Sequence, residues 1–273
     1  MIDLHLHSRA SDGSLTPTDL VQLAAARGVR LLALTDHDSL DGLAEAGAAA
    51  RAAGIRFVPG VEISVTWEHK TLHVVGLNIA PGNAGLCAGL ARLRAARGIR
   101  ALEMGRRLSA RGIHDACAGA QHLAGSDNVT RTHFAQWLSD QGHADTPQKA
   151  FQRFLARGKP GHVAMTWASM EESIGWIHAA GGRAVLAHPL RYGMTRTWLM
   201  QTLTAFKQAG GDAIEIICGR DNRDNIATAA HYALRFGFTA SVGSDFHNPA
   251  TPWLQPGIET PLPENLTPVW ECF

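Results

Sequence analysis

The chain has 273 residues, 45% of them hydrophobic, a formal net charge of +1, and 14 histidines, more than its 9 phenylalanines and 2 tyrosines together. That near-neutral balance carries no nucleic-acid or membrane preference by itself. No stretch approaches the roughly 20 uncharged apolar residues of a membrane span. Cys87, Cys117, Cys218 and Cys272 lie far apart without C-x-x-C spacing, which argues against a thiolate zinc site and a disulfide framework.

The first predicted strand starts at once. Ile2, Leu4 and Leu6 alternate with Asp3, His5 and His7, a period of two that puts both histidines on one face. No room is left for a signal peptide, so a soluble, cytoplasmic protein is expected. Thr16 is a predicted N-cap, with Pro17 at the first helical position and Gly28 as the helix stop. A strand over 30–35 ends at Asp36 and His37, and a helix is expected from Ser39 to Gly54. Strands over 57–65 and 72–79 carry Glu62 and His73.

Strand–helix alternation then stops. Residues 82–163 read as helical, and Phe134, Trp137, Phe151 and Phe154 are expected to form the core of this insertion rather than a base-stacking platform. From Leu90 to Pro160 there are 12 Lys+Arg against 5 Asp+Glu, a local balance of +7; subtraction from 25 and 24 leaves 13 against 19, or −6, elsewhere. Metal carboxylates segregated from an anion-binding element would produce such a split. For Arg92, Arg94, Arg97 and Arg100 the reading favoured is plain solvation of one long helix. Alternation resumes with a helix opened by a Ser169–Glu172 capping box, then strands over 183–187, 213–217 and 238–242. The Pro-rich last two dozen residues are expected to cross one end.

About seven strands alternating with helices predict parallel pairing through right-handed crossovers: a distorted (β/α)7, TIM-like barrel interrupted by a helical insertion. The expected division is a barrel of residues 1–81 and 164–273 and a substrate cap of residues 82–163. An open doubly wound sheet is the weaker reading, because no Gly-rich phosphate loop follows the first strand.

Nine residues fall at or just beyond predicted strands: His5, His7, Asp12, His37, Glu62, His73, His188, Asp245 and His247. In a barrel those strand ends share one mouth. Histidine with carboxylate and no thiolate suits Zn²⁺, Mn²⁺ or Fe²⁺, and nine ligands exceed the needs of one ion, so two or three are implied. Closely spaced divalent ions suit phosphoester hydrolysis, since they activate water and neutralise phosphoryl charge. Lone histidines on apolar segments (His114, His122, His143, His178, His231) are read as structural.

The runs Asp3-Leu4-His5-Leu6-His7-Ser8, Ser11-Asp12-Gly13, Thr35-Asp36-His37, Pro59-Gly60-Val61-Glu62, Ala187-His188-Pro189 and Gly243-Ser244-Asp245-Phe246-His247 resemble the polymerase and histidinol phosphatase (PHP) phosphoesterases along nearly the whole chain. The resemblance implies a distorted (β/α)7 barrel. It implies one metal among His5, His7, Glu62 and Asp245, a second bridged by Glu62 and completed by His73 and His188, and a third on Asp12, His37 and His247. Mn²⁺ is the expected ion, and Glu62, Asp245, His247 and His37 are the expected catalytic groups.

The insertion, with Arg131-Thr132-His133-Phe134-Ala135, Arg157-Gly158-Lys159-Pro160-Gly161-His162-Val163 and His188-Pro189-Leu190-Arg191-Tyr192, resembles the branch acting on nucleoside 3′,5′-bisphosphates and on the 5′ ends of short RNAs. That implies a nucleotide or short-RNA substrate, with no membrane and no obligate protein partner. Arg191, Lys159 and Arg131 are the expected phosphate binders. Ser8 and Ser11 are either substrate donors or turn residues, and Glu215 is left between a supporting, a ribose-binding and a structural role. Competing readings are a phosphatase for another small ester such as histidinol phosphate, a DNA-directed exonuclease, and a non-catalytic metal- and nucleotide-binding module.

Overall fold

A computed structural model describes residues 1–251 and 253–273. Seven strands follow one another around a single sheet in chain order: β1 (Ile2–Asp3), β2 (Leu31–Leu34), β3 (Arg56–Trp67), β4 (Lys70–Leu77), β5 (Arg183–Leu186), β6 (Ala213–Cys218) and β7 (Thr239–Gly243). The seam between β7 and β1 is closed by Leu4 N donating to Val242 O at 3.0 Å and Asp245 N donating to His5 O at 2.9 Å. The result is the expected seven-stranded, TIM-like barrel. Regular strand geometry in β1 stops at Asp3, earlier than the alternation predicts, although Leu6 still bridges Phe246 across the seam.

One expectation fails. The strands are not all parallel, because β4 runs antiparallel to both β3 and β5. Glu68 and His69 connect β3 to β4 as a two-residue turn with φ of 44° and 64°, the doubly positive pattern of a tight hairpin. Asn-Gly or Asp-Gly would have announced that turn; Glu-His does not. The reversal carries His73 to the shared mouth from near the start of its strand rather than from its end.

The helices begin where side chains can cap them. Thr16 accepts from Asp19 N ahead of α1 (Pro17–Ala26), and Gly28 follows it at φ 82°. The Ser169–Glu172 capping box opens α7 (Met170–Ala179). Ser39 does not open a helix: its hydroxyl caps Asp41 N in a turn, and α2 runs Leu43–Ala52. The insertion contains α3 (Ala84–Ser109), α4 (Ala116–Ala124), α5 (Arg131–Asp140), α6 (Pro147–Ala150) and a π turn at Phe151–Leu155. Two further helices, α8 (Arg196–Gln208) and α9 (Arg223–Phe236), cover the second half of the barrel.

Apolar burial falls into three clusters. Leu4, Ala33, Val58, Val75 and Val185 fill the barrel, and Val269 from the C-terminal segment joins them, with Trp270 and Phe273 packed alongside. A second cluster joins the outer faces of the strands to the surrounding helices. The third, with Met104, Leu108, Phe134, Leu138 and Leu155, belongs to the insertion. Helix α3 bridges the last two, placing Leu86, Leu90 and Leu93 in one and Ala101, Met104 and Leu108 in the other. That rigid connection sets the insertion over the barrel mouth.

Glycine at 243 is a requirement of closure. A Cβ there would lie 2.2 Å from His5 Cβ and 2.8 Å from His5 N, so β7 and β1 approach too closely for any side chain. Gly243→Ala is expected to destabilise the fold by about 1–3 kcal/mol through overpacking. Gly175→Ala, in α7 with open space around it, is expected to be neutral or to stabilise by up to about 1 kcal/mol. Urea unfolding of both variants checks the contrast, and equal effects would count against it.

Candidate metal centre

Glu62 lies inside β3 with no solvent exposure, and imidazoles surround it. Its Oε1 is 2.9 Å from His73 Nδ1 and 3.3 Å from both His5 Nε2 and His188 Nε2. Its Oε2 is 2.9 Å from His37 Nδ1 and 3.3 Å from His7 Nε2. Asp245 Oδ1 lies 3.4 Å from His7 Nε2 and 3.7 Å from His5 Nε2. Asp12 Oδ1 lies 3.4 Å from His247 Nε2 and 3.8 Å from His37 Nε2. All nine residues singled out in the sequence therefore meet at one place.

The donor atoms fall into four overlapping groups compact enough to hold an ion: His5, His7 and Asp245; His5, Glu62 and His188; His37, Glu62 and His73; and His7, Asp12, His37 and His247. This partition differs from that implied by resemblance in three respects: Glu62 is absent from the His5, His7 and Asp245 group, His7 joins Asp12, His37 and His247, and His73 and His188 fall in separate groups. His73 shares Glu62 with His37, while His188 shares it with His5.

Burial without hydrogen bonding supports metal binding. His5 Nε2, both ring nitrogens of His7, Asp12 Oδ1, His37 Nδ1, Glu62 Oε2 and His73 Nδ1 are buried with no hydrogen-bond partner. Leaving so many polar atoms unmatched in one place costs several kcal/mol unless a cation takes them as ligands. The ionisation states without a cation are mixed: against the effect of burial, neighbouring carboxylates raise His5, His37 and His247, while burial lowers His73. Burial opposes charge on Glu62 and Asp12, yet the imidazoles around them (His37, His73 and His5; His37 and His247) hold both carboxyls well below their usual range. Burial, helped by His247, pulls His7 down to about 3, leaving it neutral as a ligand must be.

The supporting groups are as specific as the ligands. Glu215, buried on β6, accepts from His5 Nδ1 at 2.7 Å through Oε1 and from His188 N at 2.6 Å through Oε2. That carboxylate–imidazole contact fixes which nitrogen of His5 faces the centre, so the role left open for Glu215 resolves to positioning. His188 and Asp245 have φ of 31° and 57°. Non-glycine residues in this region carry strain of about 1–3 kcal/mol, which is tolerated where side-chain direction matters more than backbone comfort.

Three sequence expectations need correction. Ser8 and Ser11 donate their hydroxyls to Asp36 Oδ2 and Oδ1, both at 2.6 Å. They are buried turn residues, not substrate donors. Lys159 is exposed and lines neither of the clefts at the metal centre. Arg97 and Arg100 are not surface solvation. Arg97 is buried, donates to Asp38 Oδ2 at 2.6 and 2.8 Å and to Ser64 Oγ at 2.8 Å, and stacks on Trp167 at 5.1 Å. Arg100 donates to Val163 O and lies 5.5 Å from the same ring.

Arg92 and Arg94 behave as expected, pairing with Glu172 and Asp41 at the surface. The i, i+3 spacing of Arg97 and Arg100 was the available signal, but it cannot tell which helix face meets the barrel. His133 is part of a capping box with Thr130.

Beside the ligands a cleft of about 190 Å³ is lined by Asp12, His37, His73 and His247 together with Arg97, Arg100 and Arg131. Arg131 lies 4.9 Å over the Phe151 ring. On the opposite flank Arg191 reaches to 3.4 Å from Asp245 Oδ2 and also donates to Cys218 O. Of the three expected phosphate binders, two therefore border the centre.

The fold and centre define a class: a seven-stranded barrel whose mouth gathers histidine and carboxylate side chains in groups that could hold metal. The PHP domain model matches residues 3–217, and the chain belongs to the PHP family. It is 47% identical over 270 residues to a 3′,5′-nucleoside bisphosphate phosphatase of Chromobacterium violaceum, covering 98% of this chain and 95% of that protein. It is 40% identical over 273 residues to a 5′-3′ exoribonuclease of Escherichia coli, covering 99% and 93%. Among solved structures, a C. violaceum amidohydrolase with bound sulfate and no metal superposes with a TM-score of 0.95 at 46% identity, over 99% of this chain and 94% of that one.

Glu215→Gln is expected to keep the side chain's volume but weaken its hold on His5, lowering metal affinity about 10- to 100-fold. Titration calorimetry with Mn²⁺ on chelator-stripped protein reads this directly. Unchanged affinity would leave Glu215 a packing residue.

Proposed function

We propose that this protein is a metal-dependent phosphoesterase that removes the 3′-phosphate of nucleoside 3′,5′-bisphosphates, such as adenosine 3′,5′-bisphosphate to AMP, and also trims short RNAs from their 5′ ends. The observation that carries this reading is the cleft itself. Candidate ligands for cations share its lining with guanidinium groups that have no carboxylate partner of their own (Arg100 and Arg131, among the described residues). One anionic group belongs with each set, so the substrate class is a molecule with two phosphates. The identities of the phosphatase and exoribonuclease relatives point the same way.

His5, His7, Asp245, Glu62 and His188 would hold ions at the deeper end, with His73, His37, Asp12 and His247 extending the set toward the cleft. The donor set suits Mn²⁺, Zn²⁺ or Fe²⁺, and the family resemblance favours Mn²⁺. Bound there, such ions supply Lewis acidity to the phosphoryl oxygens and a lowered pKa for water. Glu62 spans the groups with its two oxygens, and Asp245 closes the deep end.

Hydrolysis breaks the bond from phosphorus to the ribose 3′ oxygen, forms a bond to a water oxygen, and requires a proton at the leaving oxygen. His37 and His247 line the same cleft as Arg131 and are the candidates for supplying that proton. Arg191, with one guanidinium edge turned to Asp245, is placed to offset negative charge developing on phosphorus. Arg100 and Arg131 hold the 5′-phosphate, and the Asp38–Arg97 pair braces them. Residues 82–163 act as the cap over this pair of subsites.

With Mn²⁺ added, the protein is expected to convert adenosine 3′,5′-bisphosphate to AMP and phosphate, and excess chelator should reduce the rate to background. Arg131→Ala is expected to raise KM for the bisphosphate about 10- to 100-fold, corresponding to the ~1.5–3 kcal/mol of a charge-assisted hydrogen bond. Its effect on p-nitrophenyl phosphate, which lacks the second phosphate, should be small. Adenosine 5′-monophosphate missing from the products, or equal losses on both substrates, would count against this assignment.

A further inference from the structure

The cleft does not end at its arginines. Arg100, Arg131, Thr71 and Trp167 also wall a second cavity of about 410 Å³ on the side away from the metal ligands. The rest of that cavity includes Lys70 from β4, next to the β3–β4 turn, with Arg157 and His162 from the end of the insertion, and no carboxylate lines it. Among the described residues Lys70, Arg100, Arg131 and Arg157 make no ion pair with an acidic side chain, and Lys70 instead lies 5.7 Å from the Trp198 ring.

The cations feel one another. Burial, together with Arg131 and Arg97, pulls Arg100 down to about 9. Burial together with Arg131, Arg100, Arg107 and Arg157 depresses His162. Positive groups gathered in a partly buried space without counter-charge repel one another, and an anion relieves that cost.

Position decides which anion. With the 3′-phosphate at the metal ligands and the 5′-phosphate on Arg100 and Arg131, anything in the second cavity must be attached through that 5′-phosphate. A downstream RNA strand would continue from the 3′ side, at the metal ligands, none of which lines the second cavity. We infer that the second cavity is a subsite for the outer phosphates of a 5′-di- or triphosphate, so that the enzyme takes 3′-phosphorylated nucleotides bearing a 5′-polyphosphate, with Arg157 and Lys70 as the specificity residues. This rests on the proposed function for the placement of the inner phosphate. The outer subsite itself is defined by residues of the second cavity. It takes the polyphosphate of a free nucleotide or of a triphosphorylated RNA end by the same contacts.

The test compares adenosine 3′,5′-bisphosphate with adenosine 3′-phosphate 5′-diphosphate. Calorimetric affinities are measured on chelator-stripped protein, and kcat and KM with Mn²⁺. The wild type is expected to bind the 5′-diphosphate about tenfold or more tightly than the bisphosphate, and the Lys70→Ala/Arg157→Ala double variant to lose that advantage. Binding and turnover of the bisphosphate should stay within about twofold, which also shows the variant to be folded. The loss should fall on KM rather than kcat.

A parallel arm with 5′-mono- and 5′-triphosphorylated trinucleotide RNA identifies the source. A gain confined to RNA assigns the subsite to transcript ends, and a gain with the free nucleotide assigns it to mononucleotides. Equal affinity for the two nucleotides and the two RNAs in the wild type, or equal losses on all ligands in the variant, would overturn the inference. Tight bisphosphate binding without turnover would sink the proposed phosphatase activity while leaving the calorimetric comparison decisive for the subsite.

Discussion

A single buried carboxylate organises this molecule. Glu62 has no solvent exposure and five imidazoles at 2.9–3.3 Å from its two oxygens. An ionised carboxylate taken out of water is sustainable only if surrounding charge compensates it. Histidine alone compensates poorly, since its ring nitrogens must be neutral to act as ligands, and the many unmatched nitrogens around Glu62 mark the place where cations complete the arrangement. Barrel closure, the reversal of β4, and the strained backbone at His188 and Asp245 all deliver side chains to this one carboxylate.

The insertion supplies what the barrel lacks. A mouth built only of metal ligands would hydrolyse many esters with little choice among them. Helix α3 is long enough to be anchored in the barrel layer through Leu86, Leu90 and Leu93 while carrying Arg97 and Arg100 over the mouth. Asp38 then locks Arg97 by two hydrogen bonds. A segment with its own apolar core is thereby registered to the candidate metal centre, and the proposed selectivity for a second phosphate would rest on guanidinium groups held in place before a ligand arrives.

Much of the centre was legible in the chain because its ligands keep close company with strand ends. His5 and His7 share a face by the period-2 rule, and Asp245-x-His247 follows an apolar strand directly. The capping signals at Thr16 and Ser169 were also readable, since each N-cap is satisfied within three residues. Less legible were features that depend on contacts between distant segments. Ser8 and Ser11 turn to Asp36, Arg97 finds Asp38, and Glu215 meets His5 across 210 positions. Lys159 is exposed and lines neither cleft, since sequence proximity to a motif does not set where a residue of a turn lies.

By itself, then, the sequence determined the barrel, the nine candidate ligand positions and the family, because local periodicity, strand termini and residue chemistry act over a few residues and survive without a partner. Tertiary structure decided which candidate ligands group together, that β4 runs backward, and which of the insertion's arginines line the cleft. Those outcomes depend on helix rotation, hairpin turn geometry and charge pairing between segments far apart in the chain, and short-range pattern contains none of them.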